Sequence, residues 1–194
     1  MSHRPHPSLS LFACLVWALC AAAPADARKD EVLRGEYLVN LLGCGRCHTE
    51  GYLLGTSPTG PHLAGSKVGI AYTDGDEDSP PGLVFAPNLT PDDDTGLGTW
   101  SRRDIIRALI TGVGTDGHQR LPVMPWPNYA ALDDPDLGAI AAYLKSLPAV
   151  TRRIPDTTRA GDPVKHPYVR FGIFVFTPFE EEETGTESPP GQPL

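Results

Sequence analysis

Cys44-Gly45-Arg46-Cys47-His48 constrains this chain more than any other stretch: two thiols three positions apart, with an imidazole directly after. The chain has 194 residues and four cysteines, and the other two, Cys14 and Cys20, fall in a segment that reads as an export signal. Arg4 lies in a short basic start, Leu9 to Ala23 is apolar and uncharged, and Ala25-Asp26-Ala27 fits an A-x-A cleavage pattern. That apolar run is shorter than the about 20 residues a membrane span needs. No twin-arginine pair is present, which favours the general secretory route and a periplasmic destination. Residues 1–27 are therefore set apart as signal peptide. The alternatives are a lipid anchor on Cys20 or an uncleaved leader. Cleavage leaves one close cysteine pair, which is not a disulfide framework and needs another role.

C-x-x-C-H is the attachment signature of a c-type haem. Two thiols so spaced at a helix end can reach both vinyl groups on one porphyrin edge. The next residue then places its imidazole under the iron. Cys44 and Cys47 are thus the covalent attachment points of one haem c, and His48 is the proximal iron ligand. A zinc site would need two further ligands, and His62, His118 and His166 are not at finger or ribbon spacing. A redox-active cysteine pair would call for a βαβ pattern, which the sequence lacks.

Past residue 27 the chain has a single methionine, Met124, inside Leu121-Pro122-Val123-Met124-Pro125-Trp126. Two prolines stiffen that loop, so it can present a thioether at a fixed distance; Met124 is the candidate distal ligand. His62, His118 and His166 are the alternatives for a bis-histidine site. His/Met ligation raises the reduction potential and leaves no open coordination site. A ligating histidine normally donates its second ring N–H to a carbonyl. Pro61, in Gly60-Pro61-His62-Leu63-Ala64-Gly65, is the candidate acceptor, with Leu63 packing on the haem face. Tyr72, Trp100 and Trp126 are candidates to cover the haem edge or bond its propionates, with plain core packing as the alternative for each.

Helical periodicity covers Asp30 to Leu42, stopped by Gly43. Ser101 caps a helix to about Thr111, with Asp104 completing a variant capping box and Gly112 closing it. A third helix begins near Asp134, with Pro135 in its first turn, and stops before Pro148. Residues 49 to 98 show no sustained period and read as long loop; 20 glycines and 21 prolines explain why so much of the chain is irregular. Residues 149 to 170 look extended, and Phe171 to Phe176 has strand-like composition. The organisation expected is 1–27 signal, 28–150 haem domain, 151–178 an extended segment packing on that domain or a partner, and 179–194 a disordered acidic, proline-rich tail. Sixteen basic against 24 acidic residues, a net charge of −8, argue against nucleic acid as a partner.

Taken together, the chain resembles class I cytochromes c, and more narrowly the cytochrome c subunits of bacterial dehydrogenases for alcohols, aldehydes and sugar acids. The residues that carry the likeness are Gly35-Glu36-Tyr37-Leu38, Ala86-Pro87-Asn88-Leu89-Thr90-Pro91-Asp92, Thr95-Gly96-Leu97-Gly98-Thr99-Trp100-Ser101, Met124-Pro125 followed by Tyr129, and Asp136-Leu137 through Ala142-Tyr143-Leu144. They span roughly residues 34 to 148. The resemblance implies an all-α fold of three to four short helices around one haem, with long loops and an extended C-terminal tail. It also implies that the first and last helices cross, bringing Tyr37 and Leu38 to Ile140, Tyr143 and Leu144. Many such subunits carry three haem domains, whereas this chain has one C-x-x-C-H, and its segment 66–87, with Asp74, Asp76, Glu77 and Asp78, is longer and more acidic than the resemblance implies.

The function expected is single-electron transfer by a periplasmic monohaem cytochrome c, from a dehydrogenase subunit to an oxidase or another cytochrome. Membrane association would come only through partners or through an uncleaved or lipidated N-terminus. The competing reading is a haem enzyme or a gas or redox sensor whose distal ligand is labile. Acidic stretches at 74–78, 92–94, 133–136 and 180–183 are candidates to steer a basic partner, with solubility as the alternative.

Overall fold

The computed structural model describes residues 25–72 and 82–171. Most of the signal segment, the acidic stretch Asp74 to Asp78, the run beyond Phe171 and the tail lie outside the described residues.

Helix α1 (Ala25–Leu41) buries Gly35, Leu38 and Val39. Gly43, in the left-handed region at φ 69°, breaks the chain direction before the short helix α2 (Cys44–His48). A 3-10 turn follows at Tyr52–Leu54. Helix α3 (Arg102–Thr111) opens on a complete capping box between Ser101 and Asp104 and ends at Gly112 with φ 72°. Helix α4 (Trp126–Tyr129) is a single turn, and α5 (Asp134–Ser146) carries Pro135 in its first turn. Thus the helices expected near 30, 101 and 134 are all present, and a short one follows Met124-Pro125.

α1 and α5 form the main helix pair, closed because Gly35 has no side chain to hold them apart. The principal core contains Leu38, Val39, Leu63, Leu97, Ile105, Ile140, Tyr143 and Leu144. Leu38 meets the α5 residues as expected, but Tyr37 does not: it is 55% exposed. With Gly35, Leu38 and Val39 facing α5, the helical phase turns residue 37 outward. There the Arg34 guanidinium sits 5.5 Å from the Tyr37 ring centre, while its other contact is an ion pair with Asp136 at 2.8 Å.

An all-α fold does not describe this molecule. Strands β1 (Gly69–Tyr72), β2 (Gly82–Phe85), β3 (Thr158–Arg159) and β4 (Tyr168–Arg170) form a sheet in the order β3-β2-β1-β4. β1 and β2 pair antiparallel with Gly69 opposite Phe85, and β1 runs parallel to β4 with Gly69 opposite Tyr168. β2 pairs antiparallel with β3. Leu83 and Phe85 are buried on one face of the sheet, and Ile70, paired with Val84, is buried on the other. Each strand has four residues or fewer, β1 and β2 both begin with glycine, and β1's parallel partner lies far along the chain. No local period of two announces such a sheet. Its pairing draws the segment after residue 150 onto the body of the fold.

Candidate metal centre

The left-handed residue Gly43 starts α2 so that Cys44 and Cys47 lie one turn apart on one face, and His48 ends the helix. Both cysteines are free and half-buried. Burial pushes the Cys44 thiol up to about 11 and that of Cys47 in the same direction, so both are protonated thiols at neutral pH. His48 is 5% exposed. Burial lowers its pKa, against a hydrogen bond that favours the charged form, so the ring is neutral.

That hydrogen bond joins His48 Nδ1 to the carbonyl of Pro87 at 2.9 Å. The expected acceptor, Pro61, is not the one used: its carbonyl closes its own turn, accepting from the N–H of Ala64 at 3.2 Å. Proline carbonyls are good candidates on chemistry alone, and only the path of the 82–90 segment across the site selects between them. With Nδ1 donating to Pro87, the lone pair of the neutral ring resides on Nε2. Nε2 has no hydrogen bond among the described residues.

Leu63 is fully buried and is the one non-glycine residue with positive φ (57°) among the described residues. Both its backbone groups are held. Its N–H donates to Thr49 Oγ1 at 3.0 Å, and its carbonyl accepts from Leu89 N–H at 2.9 Å. A strained backbone held from two sides at the site is a feature of functional positions. Leu63, Cys44 and Trp100 adjoin the same apolar cluster. Lys145 fastens the loop before Trp100, its Nζ donating to the carbonyls of Leu97 (3.0 Å) and Gly98 (2.6 Å).

Met124 is half-buried, in a turn and not on a helix stripe. Its carbonyl accepts from Trp126 N–H at 2.9 Å. Trp126 in turn packs over Gly112 at the end of α3. Tyr129, five residues beyond Met124, is buried, and its phenol lies within electrostatic reach of both Cys44 and Cys47. The Met124 loop and the cysteine helix are therefore brought to one region through Tyr129, a residue the sequence marked only as part of a resemblance. Of the other histidines, His62 lies over Gly45, and His166 meets the Phe85 ring edge-on with centroids 5.6 Å apart. His118 is exposed. Tyr72 ends β1 opposite Gly82. No group of three or more His, Cys, Asp or Glu side chains among the described residues is arranged to hold a metal ion, so the zinc alternative has no ligand set there.

The donor set suits a covalently bound haem: two protonated thiols on one helical face to add across vinyl groups, and a buried neutral imidazole with its second nitrogen already committed. A thioether in a proline-bounded turn completes it. Cys44, Cys47, His48 and Met124 are the residues that would hold the group.

The chain is 34% identical over 123 residues to the cytochrome c subunit of a quinone-type alcohol dehydrogenase of Gluconobacter oxydans, a match covering 63% of this chain and 23% of that protein. It is 35% identical over 136 residues to the gluconate 2-dehydrogenase cytochrome c subunit of Pantoea cypripedii, covering 69% of this chain and 27% of that protein. It is 34% identical over 121 residues to the fructose dehydrogenase cytochrome subunit of Gluconobacter japonicus, covering 62% and 22%. The match thus spans about a quarter of each of these relatives. The family model described as cytochrome c covers residues 32–148, most of the described fold together with Cys44, Cys47, His48 and Met124, and the chain belongs to the cytochrome c family.

Proposed function

We propose that this chain is a monohaem electron carrier of the periplasm, receiving electrons from a dehydrogenase and passing them to an oxidase or another cytochrome. The observation that carries this reading is the buried neutral His48, fixed through Nδ1 to Pro87 at the end of C-x-x-C-H. The haem iron, when bound, takes up and returns one electron at a time. The chain does the rest. Cys44 and Cys47 would hold the group covalently, and His48 and Met124 would ligate its iron. Leu63 and Trp100 exclude water from its surroundings. Likeness to cytochrome subunits of alcohol, gluconate and fructose dehydrogenases supports a dehydrogenase as electron source.

Two of the acidic stretches are partly engaged inside the fold. Asp92 accepts from Thr95 and Thr151, and Asp136 pairs with Arg34. Steering of a basic partner therefore rests less on these two than on their exposed neighbours.

Absorption spectra of the purified holoprotein, oxidised and reduced, test the reading. Sharp reduced haem c bands with the near-infrared sulphur-to-iron band are expected, and the latter disappears in Met124→Ala. Rapid carbon monoxide binding by the reduced wild type at neutral pH would overturn it in favour of an enzyme or sensor. Absence of covalent haem would return the cysteine pair to other chemistry.

A further inference from the structure

We propose that Asn88 is a positioning residue for the axial histidine, and that it ties the reduction potential to the segment Val150–Arg152. This rests on His48 being an iron ligand. The carbonyl that accepts from His48 belongs to Pro87, and a peptide unit is planar. That carbonyl and the N–H of Asn88 therefore turn together. Pro87 has a fixed φ, so the orientation of the shared plane depends on how Asn88 is held.

Asn88 is held completely. It is 1% exposed. Its Oδ1 accepts from the N–H of Thr90 at 3.0 Å and from Thr90 Oγ1 at 2.8 Å. Its Nδ2 donates to Thr95 Oγ1 at 3.0 Å and to the carbonyl of Val150 at 2.7 Å. All four hydrogen-bonding positions of the amide are used. The partners are themselves tied to the segment after α5. Val150 N–H donates to Thr90 Oγ1 at 3.1 Å, Arg152 N–H to Thr95 Oγ1 at 2.9 Å, and Thr151 Oγ1 to Asp92 Oδ2 at 2.6 Å. Residues 150–152 lie outside the region matched by the family model, yet they complete the network next to the histidine's acceptor.

A strong Nδ1–H bond to a carbonyl makes the imidazole a better donor to iron and stabilises the oxidised state. Loosening the network should lengthen that bond, raise the midpoint potential and expose the Nδ1 proton to solvent. The test uses full-length holoprotein: wild type, Asn88→Ala, and Thr90→Val, which removes one hydroxyl and keeps the shape. Leu137→Ala serves as a control, destabilising α5 outside the network. Midpoint potential is measured together with the exchange rate of the His48 Nδ1 proton, read by NMR in the reduced protein. Expected are a positive shift in potential and at least tenfold faster exchange in Asn88→Ala, with smaller changes of the same sign in Thr90→Val. Potentials and exchange rates equal to wild type, or matched by Leu137→Ala at the same loss of thermal stability, overturn the proposal. A wild-type protein lacking haem c or His48 ligation would instead defeat the underlying reading, and its own spectrum reveals that separately.

Discussion

Gly35 of α1 rests directly on the backbone of Ala139 in α5: a Cβ built on Gly35 would lie 2.0 Å from the Ala139 carbonyl oxygen and 2.7 Å from the Cβ of Tyr143. Neither obstacle is the end of a flexible side chain, so the helices would have to part. Gly35→Ala should cost on the order of 3 kcal/mol or more. Gly138, on α5, offers a contrast. Its added Cβ would meet the half-exposed Arg102 guanidinium, the end of a flexible side chain that can shift while keeping its ion pair with Glu31. Gly138→Ala should be neutral or stabilising by up to about 1 kcal/mol, because alanine favours helix. Thermal unfolding of the two variants measures the difference; equal losses would contradict this account of the crossing.

Gly112 couples the end of α3 to the Met124 loop. Its φ is 72°, and an added Cβ would come within 2.4 Å of the Trp126 ring. Gly112→Ala should strain the backbone by about 1 kcal/mol or more and push Trp126, two residues beyond Met124, out of place. The near-infrared sulphur-to-iron band should weaken or shift while the reduced haem c bands remain. An unchanged band would separate Met124 from the Trp126 packing.

Hydrogen bonds from Thr151 and Thr95 hold the Asp92 carboxyl below the usual carboxylate range. A carboxylate depressed in the folded state adds stability above its unfolded pKa of about 3.9, and that stability is lost as pH falls through the folded value. The fold should therefore weaken with acid below about pH 4. Asp92→Asn should be less stable at neutral pH and show a flatter decline in Tm between pH 5 and 3. Parallel Tm curves for variant and wild type would remove Asp92 from the acid response.

Arg152 and Glu50 form a part-buried ion pair at 2.6 Å, linking the segment after α5 to the turn after His48. Glu50 also accepts from the N–H of Lys67 at 2.8 Å. Arg152→Met leaves that carboxylate short of its cation and should cost about 1–3 kcal/mol, less than for a fully buried pair because water reaches both groups. A double-mutant cycle with Glu50→Gln should give a coupling of about 1–2 kcal/mol. Simple additivity would show that the pair contributes nothing.

The parts of the site that sequence exposes are those set by covalent spacing and local hydrogen bonding. The cysteine pair and His48 stand on one helical turn, so their arrangement follows from residue order. Ser101 and Asp104 lie three apart and cap their helix; Gly43 and Gly112 end theirs. Tyr37 shows the limit of such reasoning. It belongs to the α1 apolar pattern, yet the face that packs was chosen by the small residue Gly35, and the tyrosine is left in solvent. Asn88, next to the proline that serves His48, stood in the sequence only as part of a stretch that carries the resemblance, and its partner Val150 is 62 residues away.

The C-x-x-C-H motif and three helices with their stops could be read from residue order alone, because each depends on neighbours within a turn or two; Met124 could be named there only as a candidate beside His62, His118 and His166. That Pro87 and not Pro61 accepts from His48, that four short strands pair into a sheet, and that residues 150–152 brace the acceptor loop became visible in the folded chain alone. These contacts join segments tens of residues apart. Many loop paths satisfy the local preferences of glycine- and proline-rich chain, and packing against the helices selects one of them.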